Sequence, residues 1–231
     1  MDDVLRREKK FLLSVAEMMG KEHELSLLLH EDPHNGPGGY TVRSLYFDTE
    51  YDDDFFDTEY GMDTRKKLRL RVYDPKSGSA VLEMKQKQGE WQRKRSLRLR
   101  REDAERLMAW DYAPLLRYRE PFAAECYALM QSRCYRPKVM VQYRRKAFAA
   151  KENRIRITFD HQIEASLSGL DLFAPKLLLA PVMDRSQALL EVKYNGFLLS
   201  YLQELLSSVD KSEVSASKYC MARHITYQPC L

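Results

Sequence analysis

Short stretches of this chain alternate charged and apolar residues at a period of two. Lys67, Arg69 and Arg71 alternate with Leu68, Leu70 and Val72; Glu83, Lys85 and Lys87 with Leu82 and Met84; Arg154 and Arg156 with Ile155 and Ile157. Leu189, Glu191 and Lys193 likewise alternate with Leu190 and Val192. Successive side chains of a strand point to opposite sides, so each stretch predicts a β-strand with one oily and one charged face. Most such faces simply meet water on an antiparallel sheet. Residues 65–101, however, hold 14 Lys or Arg against only Asp74, Glu83 and Glu90. A solvated face mixes both signs, and this local excess predicts a cationic surface that meets a polyanion.

At 231 residues the chain can bury a full core, and it reads as one domain over 1–231. Charged residues make up 31% and hydrophobic ones 44%, as in an ordinary globular protein. The net charge of +4 is modest, so the uneven placement of charge matters more than its sum. Residues 48–63 carry Asp48, Glu50, Asp52, Asp53, Asp54, Asp57, Glu59 and Asp63 with no Lys or Arg, an acidic block expected away from the anion site. Cys126, Cys134, Cys220 and Cys230 fall at no metal-ligand spacing and read as reduced thiols. No apolar run is long enough to span a membrane, and Met1-Asp2-Asp3 does not open a signal peptide, so a cytoplasmic location is expected.

Strands are expected at 4–13, 40–48, 64–73, 79–87, 91–100, 137–149, 153–160 and 187–194, with another around Leu177–Leu179. A helix over 14–30 should open with Ser14 and Glu17 as a capping box. Further helices are expected at 101–110, 120–132 and 197–208, and the Gly- and Pro-rich stretch 32–39 is a loop. The repeat of Phe47-Asp48-Thr49-Glu50-Tyr51 as Phe56-Asp57-Thr58-Glu59-Tyr60 is too short to carry weight. These elements make an α+β protein. Converging cationic faces require the sheet to close into a barrel, with the apolar faces turned outward beneath helices.

No phosphate-binding Gly loop, His-Glu-x-x-His pair or Gly-x-Ser-x-Gly elbow is present, and the five His are scattered. What remains is an Arg and Lys array with very few carboxylates, above all Glu191. Arg grips phosphate through a planar fork and Lys through a compact charge, so the mixture suits a chain of phosphates. A lone carboxylate there suits a divalent cation bridging phosphate oxygens.

The motifs and their order resemble the VTC domain of the triphosphate tunnel metalloenzyme superfamily. They are Arg6-x-Glu8-x-Lys10, Ser44-Leu45-Tyr46-Phe47-Asp48-Thr49, Lys67-Leu68-Arg69-Leu70-Arg71-Val72-Tyr73, Leu82-Glu83-Met84-Lys85, Lys94 and Tyr143-Arg144-Arg145-Lys146-Ala147. The series continues with Arg154-Ile155-Arg156-Ile157-Thr158-Phe159-Asp160, Glu191-Val192-Lys193-Tyr194 and Ser217-Lys218-Tyr219. The resemblance implies a closed eight-stranded antiparallel tunnel with a basic interior, flanked by helices. It implies that Lys10, Arg69, Arg71, Lys85, Lys94, Arg144, Arg156, Lys193, Ser217 and Lys218 bind phosphate or nucleotide. Arg69, Arg71, Lys193 and Lys218 would be catalytic and Glu191 would hold the metal, Mn2+ or Mg2+.

Eukaryotic members of that family make inorganic polyphosphate from the γ-phosphate of ATP. The expected function is therefore an ATP- and metal-dependent polyphosphate polymerase, with ATP, triphosphate and polyphosphate as partners. The alternatives are hydrolysis of tripolyphosphate or a nucleoside triphosphate, and a non-catalytic polyphosphate-binding module. Arg6 replaces the first acid of the hydrolytic branch's Glu-x-Glu-x-Lys motif, which favours the polymerase. Nucleic acid is not expected, because Leu, Ile, Val and Met rather than aromatics separate the cations. The chain would work alone or beside a separate membrane protein.

Overall fold

The computed structural model describes residues 6–89, 91–167, 169–207, 209 and 213–226. In chain order these form β1 (Arg6–Ser14), α1 (Val15–Leu28), β2 (His30–Glu31), β3 (Tyr40–Asp48), α2 (Asp53–Glu59), β4 (Thr64–Val72), β5 (Ser79–Gln88) and β6 (Trp91–Arg100). Then come α3 (Arg101–Met108), α4 (Pro121–Ser132), β7 (Arg136–Ala149), β8 (Arg156–Ser166), β9 (Leu179–Pro181), β10 (Gln187–Asn195), α5 (Ser200–Ser207) and α6 (Lys218–Thr226). The fold is α+β with a large antiparallel sheet. Eight strands follow the order β1-β10-β8-β7-β3-β4-β5-β6, with β2 beside β7 and β9 beside β8. The hydrogen-bonded path is open, with β1 and β6 as its ends, where the sequence suggested a closed ring.

The chain folds into two compact units, each assembled from separated stretches. One holds the described residues up to Thr41 with 143–163 and 183–216; the other holds 42–142, 164–182 and those from Ser217 onward. In the first unit, Leu13, Ile157, Phe159, Leu190 and Val192 pack with Met18 and Leu25 of α1 and Leu202 of α5. In the second, Leu45, Phe47, Leu68, Leu70, Leu82, Met84, Leu97 and Leu99 pack with Ala104 and Leu107 of α3 and Ala123, Cys126 and Met130 of α4. Burying each such Leu or Phe contributes about 1.5–3 kcal/mol, enough to fix which side of every strand faces the helices. The charged alternates are thereby committed to the opposite side.

Local signals explain most boundaries. Ser14 caps α1: its Oγ accepts from Glu17 N, and the Glu17 carboxylate accepts from Ser14 N and Oγ in return. The helix stops at Leu28, short of the expected residue 30, as Leu29 turns extended to enter β2. Asn153 and Arg154 both take positive φ, which removes Arg154 from β8 and breaks the alternation expected to include it. Gly39 has φ +73°, and a Cβ there would lie 2.2 Å from the Arg145 carbonyl oxygen, so only glycine fits between β3 and β7. Among the described residues no helix is long and apolar enough to cross a membrane. Cys126, Cys134 and Cys220 are free thiols, and Cys230 lies outside the described residues.

The division into faces predicts unequal costs on β5. Leu82→Ala should destabilise by about 2–5 kcal/mol, while Lys87→Ala should stay within about 0.5 kcal/mol. Urea denaturation of the two variants checks this, and similar losses at both would contradict the assignment of faces. Gly39→Ala should be destabilising even though it adds only a methyl group.

Candidate functional site

The polar face of the second unit is built by β3–β6. Residues paired across antiparallel strands point to the same side. Tyr46 pairs with Arg69, Arg69 with Glu83, and Glu83 with Ser96. One row along, Ser44 pairs with Arg71, Arg71 with Val81, and Val81 with Arg98. One row the opposite way along, Lys67 pairs with Lys85 and Lys85 with Lys94. The strands thus place Lys67, Arg69, Arg71, Lys85, Lys94 and Arg98 on one surface around the acid Glu83.

Glu83 is the node of that surface. Arg69 Nε donates to its Oε2 at 2.8 Å, Arg71 Nη1 lies 3.5 Å from the same oxygen, and Lys94 Nζ bonds to Oε1. Arg69 Nη1 also donates to Tyr46 Oη at 2.9 Å, and Arg71 Nε to Ser44 Oγ at 3.4 Å. Burial alone would raise the Glu83 pKa; Arg69, Arg71 and Lys94 together hold it down at about 2. The Lys94 pKa is lowered, chiefly by burial, against the pull of Glu83. Two guanidinium planes and one ammonium are therefore fixed by side chains before any ligand arrives, the arrangement that makes charge stabilisation effective.

The helix α6 closes one side of this face. Ser217 precedes it, with Oγ accepting from Lys67 Nζ at 2.8 Å and from Cys220 N at 3.3 Å, and Lys218 is buried in its first turn. Tyr219 stacks on Tyr46 at 5.1 Å and donates its hydroxyl to Asp48. Burial comes first in raising the Asp48 pKa, against that hydrogen bond and those from Asp54, Thr49 and Phe55 N. Asp48 thus belongs to the wall of the site, although the acidic block was expected elsewhere. Asp54, raised to about 6 by burial and the neighbouring Asp48, accepts from Tyr135 Oη at 2.8 Å and lies 3.0 Å from Lys66 Nζ.

The first unit carries a more balanced face. Lys10 pairs across β1 and β10 with Glu191, and Glu8 with Lys193, so acids and cations alternate diagonally. Lys193 Nζ donates to Glu191 Oε2 at 2.6 Å, and Lys10 Nζ donates to the Ala216 carbonyl at 2.8 Å. Arg145 forms a two-pronged bond to Asp160 at 2.6 and 2.7 Å and approaches Glu191 Oε2 to 3.7 Å. Burial would lower the Arg145 pKa, but Asp160 raises it well above the ordinary value. Arg156 Nη2 donates to Asp32 Oδ2 at 2.7 Å and to Tyr40 Oη at 3.2 Å.

Arg144, expected to hold phosphate, requires a correction. Neighbouring residues of β7 point to opposite faces, and Arg145 is the one directed at Glu191. The Arg144 guanidinium is bound instead by the Gly38 and Gly39 carbonyls and Thr41 Oγ1. Lys94 does share the polar face with Glu83, while its neighbour Arg95 turns to Glu125 of α4. Overall, Arg69, Arg71, Lys85, Lys94, Ser217 and Lys218 fall in the second unit, and Lys10, Arg156, Glu191 and Lys193 in the first. Sequence reasoning missed Glu83, Ser44 and Tyr46 as site residues, although their odd-even placement could have revealed them.

The donors near Glu191 suit a hard cation only in part. Among the described residues no three His, Cys, Asp or Glu side chains form a metal cage. Glu191 and Glu8 share one face, and across from Glu191 the buried Thr158 Oγ1 has no hydrogen-bond partner. One or two carboxylates with a hydroxyl suit Mg2+ or Mn2+ whose remaining ligands are water and phosphate oxygens.

The Glu83 node gives a prediction with a defined sign. Its pKa is depressed from the ordinary glutamate value of 4.5 to about 2, so its stabilising contribution is complete above pH 4.5 and disappears as pH falls through 2. Glu83→Gln should cost about 3 kcal/mol at pH 7, and the gap to the parent protein should narrow steadily below pH 4.5. Urea titrations across this range check it; a gap independent of pH would contradict the ion-pair role.

A family model for the VTC domain matches residues 5–227. Two solved structures share the fold: a presumed adenylate cyclase of Bacillus halodurans, at 15% identity and TM-score 0.52 over 94% of both chains, and the PH1819 protein of Pyrococcus horikoshii OT3. The latter is 11% identical with TM-score 0.50, covering 96% of this chain and 99% of its own. No curated protein matches. The family match runs through both units and through every strand that carries the cationic faces, and on that basis the chain belongs to the VTC domain family.

Proposed function

We propose that this chain is a metal-dependent polyphosphate polymerase that transfers the γ-phosphate of ATP to a growing inorganic polyphosphate. The observation that carries the reading is the convergence of Arg69, Arg71 and Lys94 on one buried carboxylate, which fixes their directions in advance. Phosphoryl transfer needs mainly positioning and neutralisation of charge, and such an array supplies both. A terminal oxygen of the polyphosphate attacks the γ-phosphorus, the bond to the bridging oxygen breaks, and ADP leaves with the electron pair. No side chain acts as nucleophile. The roles of Arg69, Arg71, Lys85, Lys94, Ser217 and Lys218 are to hold phosphate oxygens; Lys10, Arg156 and Lys193 do the same on the first unit's face.

Glu191, with Glu8 and Thr158 beside it, would hold the divalent cation, which when bound screens charge on the transferring phosphate. The acidic residues there are already balanced by Lys10, Lys193 and Arg145, so the cation is expected to arrive with phosphate rather than reside alone. Hydrolysis of a triphosphate remains the competing enzymatic outcome, and the assay below separates the two by product.

Purified protein with ATP and Mn2+ should produce polyphosphate that a polyphosphate-specific dye detects; release of free phosphate alone would identify a hydrolase, and neither product would overturn the enzymatic reading. Glu191→Gln should abolish turnover while tripolyphosphate still binds in calorimetric titration. Arg71→Ala removes a charge-assisted contact worth about 1.5–3 kcal/mol, so nucleotide affinity should fall roughly ten- to a hundredfold. Loss of binding in both variants would reassign Glu191 to a structural ion pair with Lys193.

A further inference from the structure

Asp48 is a fully buried carboxylate at the end of β3. Its Oδ1 accepts from Thr49 N at 2.7 Å and Asp54 N at 2.9 Å, and its Oδ2 from Phe55 N at 2.8 Å and Tyr219 Oη at 2.5 Å. Asp54 and Phe55 lie in the first turn of α2, whose own N-cap residue, Asp52, makes no side-chain cap. The backbone donors therefore fix the carboxylate, and the bond to Tyr219 is the one that reaches a distant part of the chain. Tyr219 is itself buried, stacked on Tyr46 and edge-on to Phe55 at 6.2 Å. Arg223, one turn beyond it on α6, donates to Asp52 Oδ2 at 2.6 Å.

We propose that Asp48 and Tyr219 are positioning residues for phosphate binding: the bond between them sets the rotation of α6 about its axis, and with it the directions of Ser217 and Lys218. The inference rests on the phosphate-binding reading of those two residues. At nine residues α6 is too short to be held by helix propensity alone, so its seat is chosen by tertiary contacts. Successive helical residues are about 100° apart around the axis, so fixing Tyr219 fixes where Lys218 points. The same seat brings Ser217 Oγ to accept from Lys67 Nζ at 2.8 Å, at the edge of the cationic face. A buried tyrosine–aspartate bond that only stabilised the fold would share this geometry. The two roles differ in coupling. A positioning bond changes affinity while Ser217 and Lys218 are present to be positioned; a merely structural one changes stability and leaves the affinity of the folded protein alone.

The test is calorimetric titration with tripolyphosphate, at one fixed salt concentration and well below each melting temperature. It compares the full chain, Tyr219→Phe, Asp48→Asn, Ser217→Ala/Lys218→Gln, and the last of these with Tyr219→Phe added. Tyr219→Phe keeps the ring that stacks on Tyr46 and removes only the hydroxyl. Tyr219→Phe should weaken binding about fivefold or more in the parent and have no further effect once Ser217 and Lys218 are replaced. Asp48→Asn should weaken binding in the same sense. An unchanged affinity in Tyr219→Phe would overturn the proposal, as would an equal loss in both backgrounds, which would route the effect through Tyr46 and Arg69. Variants at both positions too unstable to titrate would assign the pair to the fold alone, and that result also overturns it. If the parent does not bind tripolyphosphate, or Ser217→Ala/Lys218→Gln binds as tightly as the parent, the phosphate reading of Ser217 and Lys218 fails and this inference with it. If that reading holds and Tyr219→Phe binds like the parent, only the positioning role fails.

Discussion

Like charges gathered on one face of a sheet repel, and in this protein the cost is offset by one carboxylate. Glu83 stands among Arg69, Arg71 and Lys94, so three cations face it in place of one another. The arrangement depends on the alternation of β4 and β5. Leu68, Leu70, Leu82 and Met84 anchor their strands in the core, and Arg69, Arg71 and Glu83 follow on the other side. A shift of one residue in register would bury the cations among leucines, which the desolvation of charge forbids. Stability of the core and geometry of the site are therefore the same constraint seen from two faces.

The two units treat charge differently. In the second, a cluster of cations shares Glu83, leaving an excess of positive charge that favours phosphate chains. In the first, Lys10, Arg145, Arg156 and Lys193 are met by Glu8, Asp32, Asp160 and Glu191 in equal number. An excess recruits anions, while a balanced array orients them and leaves room for a cation. Arg156 illustrates the second mode, because Asp32 and Tyr40 both hold its Nη2 and so set the direction of the guanidinium.

Much of this was legible in the sequence because burial enforces period two. β3 at 40–48 and β6 at 91–100 have the expected bounds, and the Ser14–Glu17 capping box forms as its spacing requires. Alternation failed where the backbone leaves the strand: positive φ at Asn153 and Arg154 cannot be read from cationic and apolar periodicity. Arg144 and Arg145 are chemically equivalent in sequence, and only the pairing of β7 decides which one faces Glu191. The helix α6 escaped notice because its stability comes largely from tertiary contacts, among them Tyr219 with Tyr46 and Asp48, and Arg223 with Asp52.

If the cationic face of the second unit is held together against its own repulsion, a polyanion that fits it should stabilise the fold by mass action more than a single anion does. The direct measurement is thermal unfolding at fixed ionic strength with equal concentrations of tripolyphosphate or orthophosphate. Tripolyphosphate should raise the melting temperature well above the value in orthophosphate, and Arg69→Gln/Arg71→Gln should remove most of the difference. Equal shifts from the two anions, or a tripolyphosphate shift that survives the double substitution, would contradict a preorganised phosphate-chain site on the Glu83 face.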